Sequence, residues 1–487
     1  MPSTIRASTA EGDLDADSFL QWSHIKPEAF GLVRSSLPIV LSSMTQLFLM
    51  VPMLAAVGRL GTAALASMNL ASTYAGLAGI APLSGIAMAL DTLCSQAYTA
   101  AKDKRLLGVY VQRAFVCTLT IQALIYPIWW NSNRVYEYLG VPAEVAELTG
   151  RLLRLYFFGV AALFMYECLK SFLFAQGIRR FAVISQAICL PIGWLLIWLL
   201  IANPSTSMGI LGVSATLLAV AVGFNIVTLV FIFKVDGHQC WGGWSRAAFA
   251  DLRPMFKLGL AGSLITFFES VALHMIDLGS MFLGAKAMAA QAVLSTLMTG
   301  TWVMGTGFSV TACNRVGNHL GSGLPNRAVL SVYTTVGLAV CAFSALGTAL
   351  VYSRHSLPHV FTSDPAVAQI ISTHIPWSAS AGAIQGVNMA FNGILRGQGR
   401  QILIARIRIL SFVGVAIPLG VVGVKVFNWG LAGLWLGYVA CLLTTLGSQL
   451  YVVSITNWSK EVDRCQKRVA NAMLTTSLDG DSIPVLP

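Results

Sequence analysis

The sequence predicts an all-α membrane protein of twelve transmembrane helices, arranged as two pseudo-symmetric six-helix bundles. Three observations lead there. Of the 487 residues, 56% are hydrophobic and 10% charged, and mean hydropathy is +0.72, whereas a soluble protein carries about 25% charged residues. Twelve apolar segments can be laid along the chain, each near the roughly 20 residues that a helix needs to cross a bilayer core. Short motifs from the first half also recur in the second at almost one offset.

In chain order, residues 1–33 are polar, carrying Glu11, Asp13, Asp15 and Asp17, and lack the early apolar core of a cleaved leader. They are expected to form a cytoplasmic tail, with insertion left to the first helix. The apolar segments run 36–57, 64–90, 107–130, 152–175, 181–202, 208–233, 258–283, 287–311, 328–353, 368–394, 402–426 and 429–455. The second and eighth are rich in Gly, Ala, Ser and Thr, as closely packed or cavity-lining helices are. Pro38, Pro52, Pro82, Pro191 and Pro418 mark expected kinks. The expected organisation is an N-terminal lobe (34–235), a cytoplasmic loop (236–257), a C-terminal lobe (258–456) and a cytoplasmic tail (457–487). Most of the nine cysteines lie inside apolar runs, without spacings for a disulfide framework or zinc.

Gly61-Thr-Ala-Ala-Leu-Ala66 resembles Gly284-Ala-Lys-Ala-Met-Ala289, and Cys94 in Asp91-Thr-Leu-Cys94 answers Cys313 in Val310-Thr-Ala-Cys313. Gln176-Gly177 answers Gln398-Gly399, and Gly209-Ile-Leu-Gly212 answers Gly430-Leu-Ala-Gly433. A duplication of six helices explains all four, with both halves starting on the same side. Such parallel repeats are a transporter architecture.

Function concentrates on the seventh segment. On a helical wheel Glu269, Thr266, Asp277, Ser270, Ser263, Ser280 and His274 share an arc of roughly 140°, and Phe268, Val271, Ala272, Met275, Ile276 and Leu278 lie opposite. A carboxylate at mid-membrane costs roughly 2.5–3.5 kcal/mol, so two of them call for a role. Desolvation pushes a buried carboxyl towards protonation, which lets it exchange a proton near neutral pH. The alternative is a hydrogen-bonded anchor between helices. The tenth segment adds a ladder on one face, Gln385, Asn388 and Asn392, read either as helix–helix glue or as a wall of the same cavity. Asp91 either titrates or holds a loop. Glu167 and Lys170 can pair. Arg113, Arg315, Arg396 and Arg400 are expected as interfacial anchors, and Trp129, Trp130, Trp241, Trp244, Trp429 and Trp458 as belt residues.

A net charge of +11 would ordinarily suggest nucleic acid. Here the charges lie in short loops, so topology explains them better, and no nucleic-acid partner is expected. With the N-terminus in the cytoplasm, inner loops and their flanks hold sixteen Lys and Arg and outer loops seven, which supports two cytoplasmic tails. No phosphate loop of the GxxxxGK[ST] kind occurs, and no Gly-Lys pair at all, which argues against a primary pump.

At this point the chain resembles the multidrug and toxic compound extrusion (MATE) family, of the eukaryotic kind. The resemblance is carried by Gly58-Arg-Leu-Gly61, Asp91-Thr-Leu-Cys-Ser-Gln-Ala-Tyr98, Leu107-Gly-Val-Tyr-Val-Gln-Arg113, Trp241-Gly-Gly-Trp244, Arg315-Val-Gly-Asn-His-Leu-Gly321 and Leu395-Arg-Gly-Gln-Gly-Arg400. It implies a V-shaped twelve-helix exporter that exchanges a small organic substrate for protons, or for sodium, without a cofactor. It also implies that Glu269 and Asp91 match the family's coupling acids, and that Lys170 matches a lysine of the fourth helix. Relatives that carry organic cations have a glutamate where this chain has His274, and another in the tenth helix where it has Gln385. Asp277, one turn beyond His274, compensates in this reading. His274, Gln385, Asn388 and Asn392 are thus expected to touch substrate, and Glu269, Asp91 and Asp277 to handle protons. The remaining expectations are a lipid-embedded monomer in the plasma or vacuolar membrane and no enzymatic activity. The other readings are a lipid or oligosaccharide flippase of related architecture and an intramembrane transferase.

The charge asymmetry generates one test. Tags on both tails and within 236–257 should be reached only from the cytoplasmic side in sealed cells, and tails on opposite faces would break the twelve-helix topology.

Overall fold

In lipid every backbone N–H and C=O must be paired within the protein, so apolar segments of this length close their hydrogen bonds as helices. The structure, a computed structural model, describes residues 13–14, 21–362 and 364–478, except the side chains of Gln46, Ser477 and Leu478. Among these residues twelve long helical segments occur, each over one apolar segment of the sequence. They are α1 (Trp22–Gly58), α2 (Thr62–Ala100), α3 (Leu106–Trp130), α4 (Ala143–Ala175), α5 (Arg180–Ala202) and α6 (Leu211–Lys234). The second set is α7 (Arg253–Met281), α8 (Ala285–Gly321), α9 (Pro325–Tyr352), α10 (Pro365–Gly397), α11 (Gln401–Lys425) and α12 (Leu431–Ser454). Ten are apolar enough by composition to cross a membrane. The other two, α8 and α10, are as long but carry many small and polar residues.

A thirteenth long helix, α13 (Trp458–Leu478), occupies the stretch read as a C-terminal tail. Its buried Val462, Cys465, Val469 and Ala472 recur at helical spacing, and its other face is charged. Helix α1 begins well before its apolar segment, because its polar first turns find protein partners. Glu28 accepts from Arg315 Nε at 2.8 Å, and also from Arg315 Nη2 and Ser331 Oγ.

The chain divides into two units of internal packing. One holds described residues 41–264 and 465–478, and the other 13–14, 21–40 and 265–464. The divisions fall inside α1, α7 and α13, not in loops. The first unit packs around Trp129, Leu153, Phe157 and Val160, and the second around Leu294, Ile371, Trp435 and Leu442. No disulfide joins the nine cysteines, and eight of them are buried.

The duplicated glycines repeat their backbone as well as their identity. Gly61 and Gly284 open α2 and α8 at φ of 115° and 98°, Gly177 and Gly399 turn at 77° and 76°, and Gly209 and Gly430 at 59° and 54°. Side chains resist these left-handed angles, so glycine returns at each point in both halves.

Two of the prolines act through bulges, not breaks. π-helical turns at Gly76–Ile80 and Phe412–Ala416 lie directly before Pro82 and Pro418. Each proline lacks an N–H for the carbonyl four residues earlier, Ala78 and Gly414 respectively, and the wider turn absorbs the defect. The Ala78 carbonyl accepts instead from Trp129 Nε1 at 3.2 Å. Trp129, expected in an aromatic belt, is therefore buried, at 1% exposure.

Helices α8 and α10 pack along glycines. A Cβ at Gly393 would sit 2.2 Å from the Ser309 carbonyl oxygen, whereas nothing lies within 4 Å of one at Gly300. Gly393→Ala should cost about 1–3 kcal/mol by overpacking and lower the melting temperature in detergent. Gly300→Ala on the same helix pair should hold or raise it. Equal melting temperatures for both variants would contradict the tight α8–α10 contact.

Candidate functional site: an acid shared by four helices

Glu269 projects from α7 into the second unit, where three other helices meet it. From α10, Gln385 Nε2 donates to Oε1. From α8, Trp302 Nε1 donates to the same oxygen at 3.1 Å. From α11, Arg408 Nη2 stands 3.8 Å from Oε2. The side chains of Glu269 and Arg408 are 12% and 2% exposed. A carboxylate can only accept hydrogen bonds, and here one oxygen has two donors and the other a guanidinium. At 3.8 Å that last contact is an ion pair without a hydrogen bond.

Arg408 is otherwise undersupplied. Its Nε and Nη2 are buried without a hydrogen-bond acceptor among the described residues, and Gln385 Oε1 and Asn388 Oδ1 are buried without a donor. The site is thus polar, covered at Arg408 and open at Trp302, and only partly satisfied by its own side chains.

Asp277, two turns along α7, has a separate set of partners. Ser295 Oγ donates to Oδ1 at 2.6 Å and Gln291 Nε2 to the same oxygen at 3.0 Å, while His274 Nδ1 lies 3.2 Å from Oδ2. Gln291 is held in turn by Trp435 Nε1 at 3.1 Å. The polar stripe of the seventh segment therefore resolves into two clusters, and among the described residues Glu269 and Asp277 share no hydrogen-bond partner.

The ladder of the tenth segment divides as well. Gln385 meets Glu269, but Asn388 Nδ2 donates to the Leu442 carbonyl at 3.1 Å, and Asn392 Oδ1 accepts from Gln449 at 2.6 Å, both across to α12. Asp91, on α2, belongs to the first unit and is buried there, within electrostatic reach of Lys170. Lys170 Nζ bonds Glu167 at 2.5 Å, as the spacing of the two suggested.

Expectation and structure part on the arginines. Arg113, Arg315, Arg396 and Arg400, expected to reach for the interface, find partners inside the protein. Arg113 Nε donates to the Ala247 carbonyl, Arg396 Nη1 to Ser309, and Arg400 Nη2 to Glu461 at 2.6 Å. Arg408, counted with the inner-loop charges, lies seven residues beyond Gln401, or about 10 Å along the helix. It and Trp302 are the two site residues that sequence reasoning missed. The signal for Arg408 was available, since a cation inside an apolar segment is as costly as the carboxylate that drew attention to Glu269.

The MatE family model matches residues 38–199 and again 260–422. The two starts lie 222 residues apart, as the internal repeat predicts. Over 464 residues the chain is 30% identical to Protein DETOXIFICATION 17 of Arabidopsis thaliana, covering 94% of this chain and 95% of that one. It is 24% identical to Multidrug and toxin extrusion protein 2 of Pongo abelii, covering 91% and 80% of the two chains. Its fold is that of the eukaryotic MATE transporter AtDTX14, with a TM-score of 0.85 at 21% identity over 91% of this chain and 99% of the other. Twice-matched along its length and built of long apolar helices, the chain belongs to the MatE family of multi-pass membrane transporters.

Proposed function

We propose that this transporter exports organic compounds in exchange for protons, with Glu269 as the group that binds either a proton or the substrate. The observation that carries the reading is the convergence of α8, α10 and α11 on that one carboxylate. Antiport needs a group whose two states are mutually exclusive. A carboxylate inside an apolar bundle serves, because protonation removes the acceptor and the charge together. Substrate donors compete with Gln385 and Trp302 for Oε1, so the loaded and protonated states differ in which helices Glu269 ties together. Two discrete arrangements of one element are what alternating access requires.

In this reading Asp277 and His274 hold the far end of α7 against α8 and line the path, Asn388 and Asn392 keep α10 on α12, and Asp91 with Lys170 forms a second polar site. Both tails face the cytoplasm, in the plasma or vacuolar membrane, and the unit of function is a monomer in lipid. The imposed gradient supplies about 1.4 kcal/mol per pH unit and about 2.3 kcal/mol per 100 mV.

Glu269→Gln keeps size and hydrogen bonding but stays neutral. In proteoliposomes it should lose pH-gradient-driven transport while remaining monodisperse, and Glu269→Asp should retain a fraction. Asp277→Ala should instead lower the melting temperature, since it leaves Gln291 and Ser295 without their acceptor, at about 1–3 kcal/mol. Normal transport by Glu269→Gln, or transport that follows a sodium gradient with pH clamped, would overturn the proton reading.

A further inference from the structure

We propose that Arg408 is the receptor for the acidic end of the substrate, so that the Glu269–Arg408 pair selects zwitterionic organic compounds carrying a carboxylate beside a cationic group. The inference deepens the reading of Glu269 as the exchanging group and rests on it.

Three observations carry it. First, the Arg408 atoms that lack a hydrogen-bond acceptor among the described residues are Nε and Nη2, the two that share one edge of the guanidinium. That edge presents two parallel N–H groups and is matched to a planar oxyanion. Second, the same edge is in use elsewhere in this chain. Arg315 places Nε and Nη2 on the two carboxylate oxygens of Glu28, and Arg113 directs Nε to the Ala247 carbonyl and Nη2 to Thr476 Oγ1. Against those, Arg408 has only an ion-pair contact with Glu269, at 3.8 Å. Third, the counterpart of Arg408 in the first repeat, 222 residues earlier, is Gln186, a neutral amide satisfied by Thr45 and Ser42. The guanidinium with an open edge is a feature of the second half.

The chemistry then narrows the ligand. An organic cation alone would take Glu269 and leave Arg408 a buried charge without a counter-ion, which is costly. An anion alone would bind best after Glu269 is protonated. Proton and substrate would then travel together, and exchange would fail. A zwitterion avoids both faults, with its cationic group on Glu269 and its carboxylate on the Arg408 edge. Protonation of Glu269 removes the acceptor for the cationic group and expels the ligand, as antiport requires. The edge is covered in this conformation. The π-helical turn Phe412–Ala416, four residues beyond Arg408, is a register defect about which the Arg408 segment can rotate.

The test uses a matched dye pair on the purified full-length protein, rhodamine B (a zwitterion with a free carboxylate) and its ethyl ester (a cation). Fluorescence anisotropy should show tighter binding of rhodamine B than of the ester. Arg408→Gln should reduce that preference about tenfold, the share of one bidentate ion pair. Arg408→Lys should reduce it less, because it keeps the charge without the fork; it also covers the case in which the glutamine variant does not fold. The readout is a ratio between two ligands, so a smaller folded fraction, which scales both signals alike, leaves it unmoved. Absent binding of rhodamine B, no preference in the wild type, or a ratio unchanged in both variants would overturn the proposal. Uptake of the dyes under a pH gradient bears on Glu269 alone: a preserved preference without gradient-driven movement sinks proton exchange, not recognition by Arg408.

Discussion

A carboxylate and a guanidinium facing each other inside an apolar bundle constrain much of what surrounds them. Neither Glu269 nor Arg408 could be buried alone, and removing one partner of such a pair costs about 3–5 kcal/mol through the charge left behind. The pair therefore sets the register of α11 against α7. Gln385 and Trp302 extend the constraint to α10 and α8, because each points its donor at the same carboxylate oxygen. Four helices owe their mutual position in part to one side chain. The glycine-lined seam between α8 and α10 serves the same end, letting two of these helices come close enough to share an acceptor.

Much of this was legible in the sequence, and the reasons are physical. Hydropathy finds helices that lipid obliges to form, so all twelve segments returned as helices. The repeat was readable because left-handed turns admit glycine and little else, which preserved Gly61 with Gly284 and Gly177 with Gly399 after the halves diverged. Glu269 stood out because a carboxylate in an apolar run is expensive. What stayed hidden was pairing at a distance. Arg408 lies 139 residues from Glu269 and near a charged loop, so charge counting absorbed it into topology. A wheel also treats a helix as one ribbon. It grouped Glu269 with Asp277 on a common face but could not show that each meets different neighbours. The amphipathic α13 and the early start of α1 escaped because their polar residues looked like solvated tail until their partners were known.

The two repeats also differ in how they treat polarity. The first keeps Glu167 on Lys170 and a satisfied amide at Gln186. The second carries a charge pair with hydrogen-bonding capacity to spare. Buried groups with unmet capacity are poor for stability and suited to reversible binding. The duplicated frame thus places the buried charge pair in its second half, while the unmet capacity of the first lies on uncharged groups such as the Gln122 amide.

The bond from the Trp129 indole to the Ala78 carbonyl has a consequence for how this chain can change over time. The indole supplies the donor that Pro82 withholds, so the two residues form a single unit of inheritance although 47 positions separate them. An ordinary residue at 82 would restore the backbone donor and free position 129 to drift. A phenylalanine at 129 with the proline kept would orphan a carbonyl at membrane depth. Descendants of this chain should therefore exchange the two together or keep both, a pairwise bookmark of the helix bend that outlasts similarity in the residues between.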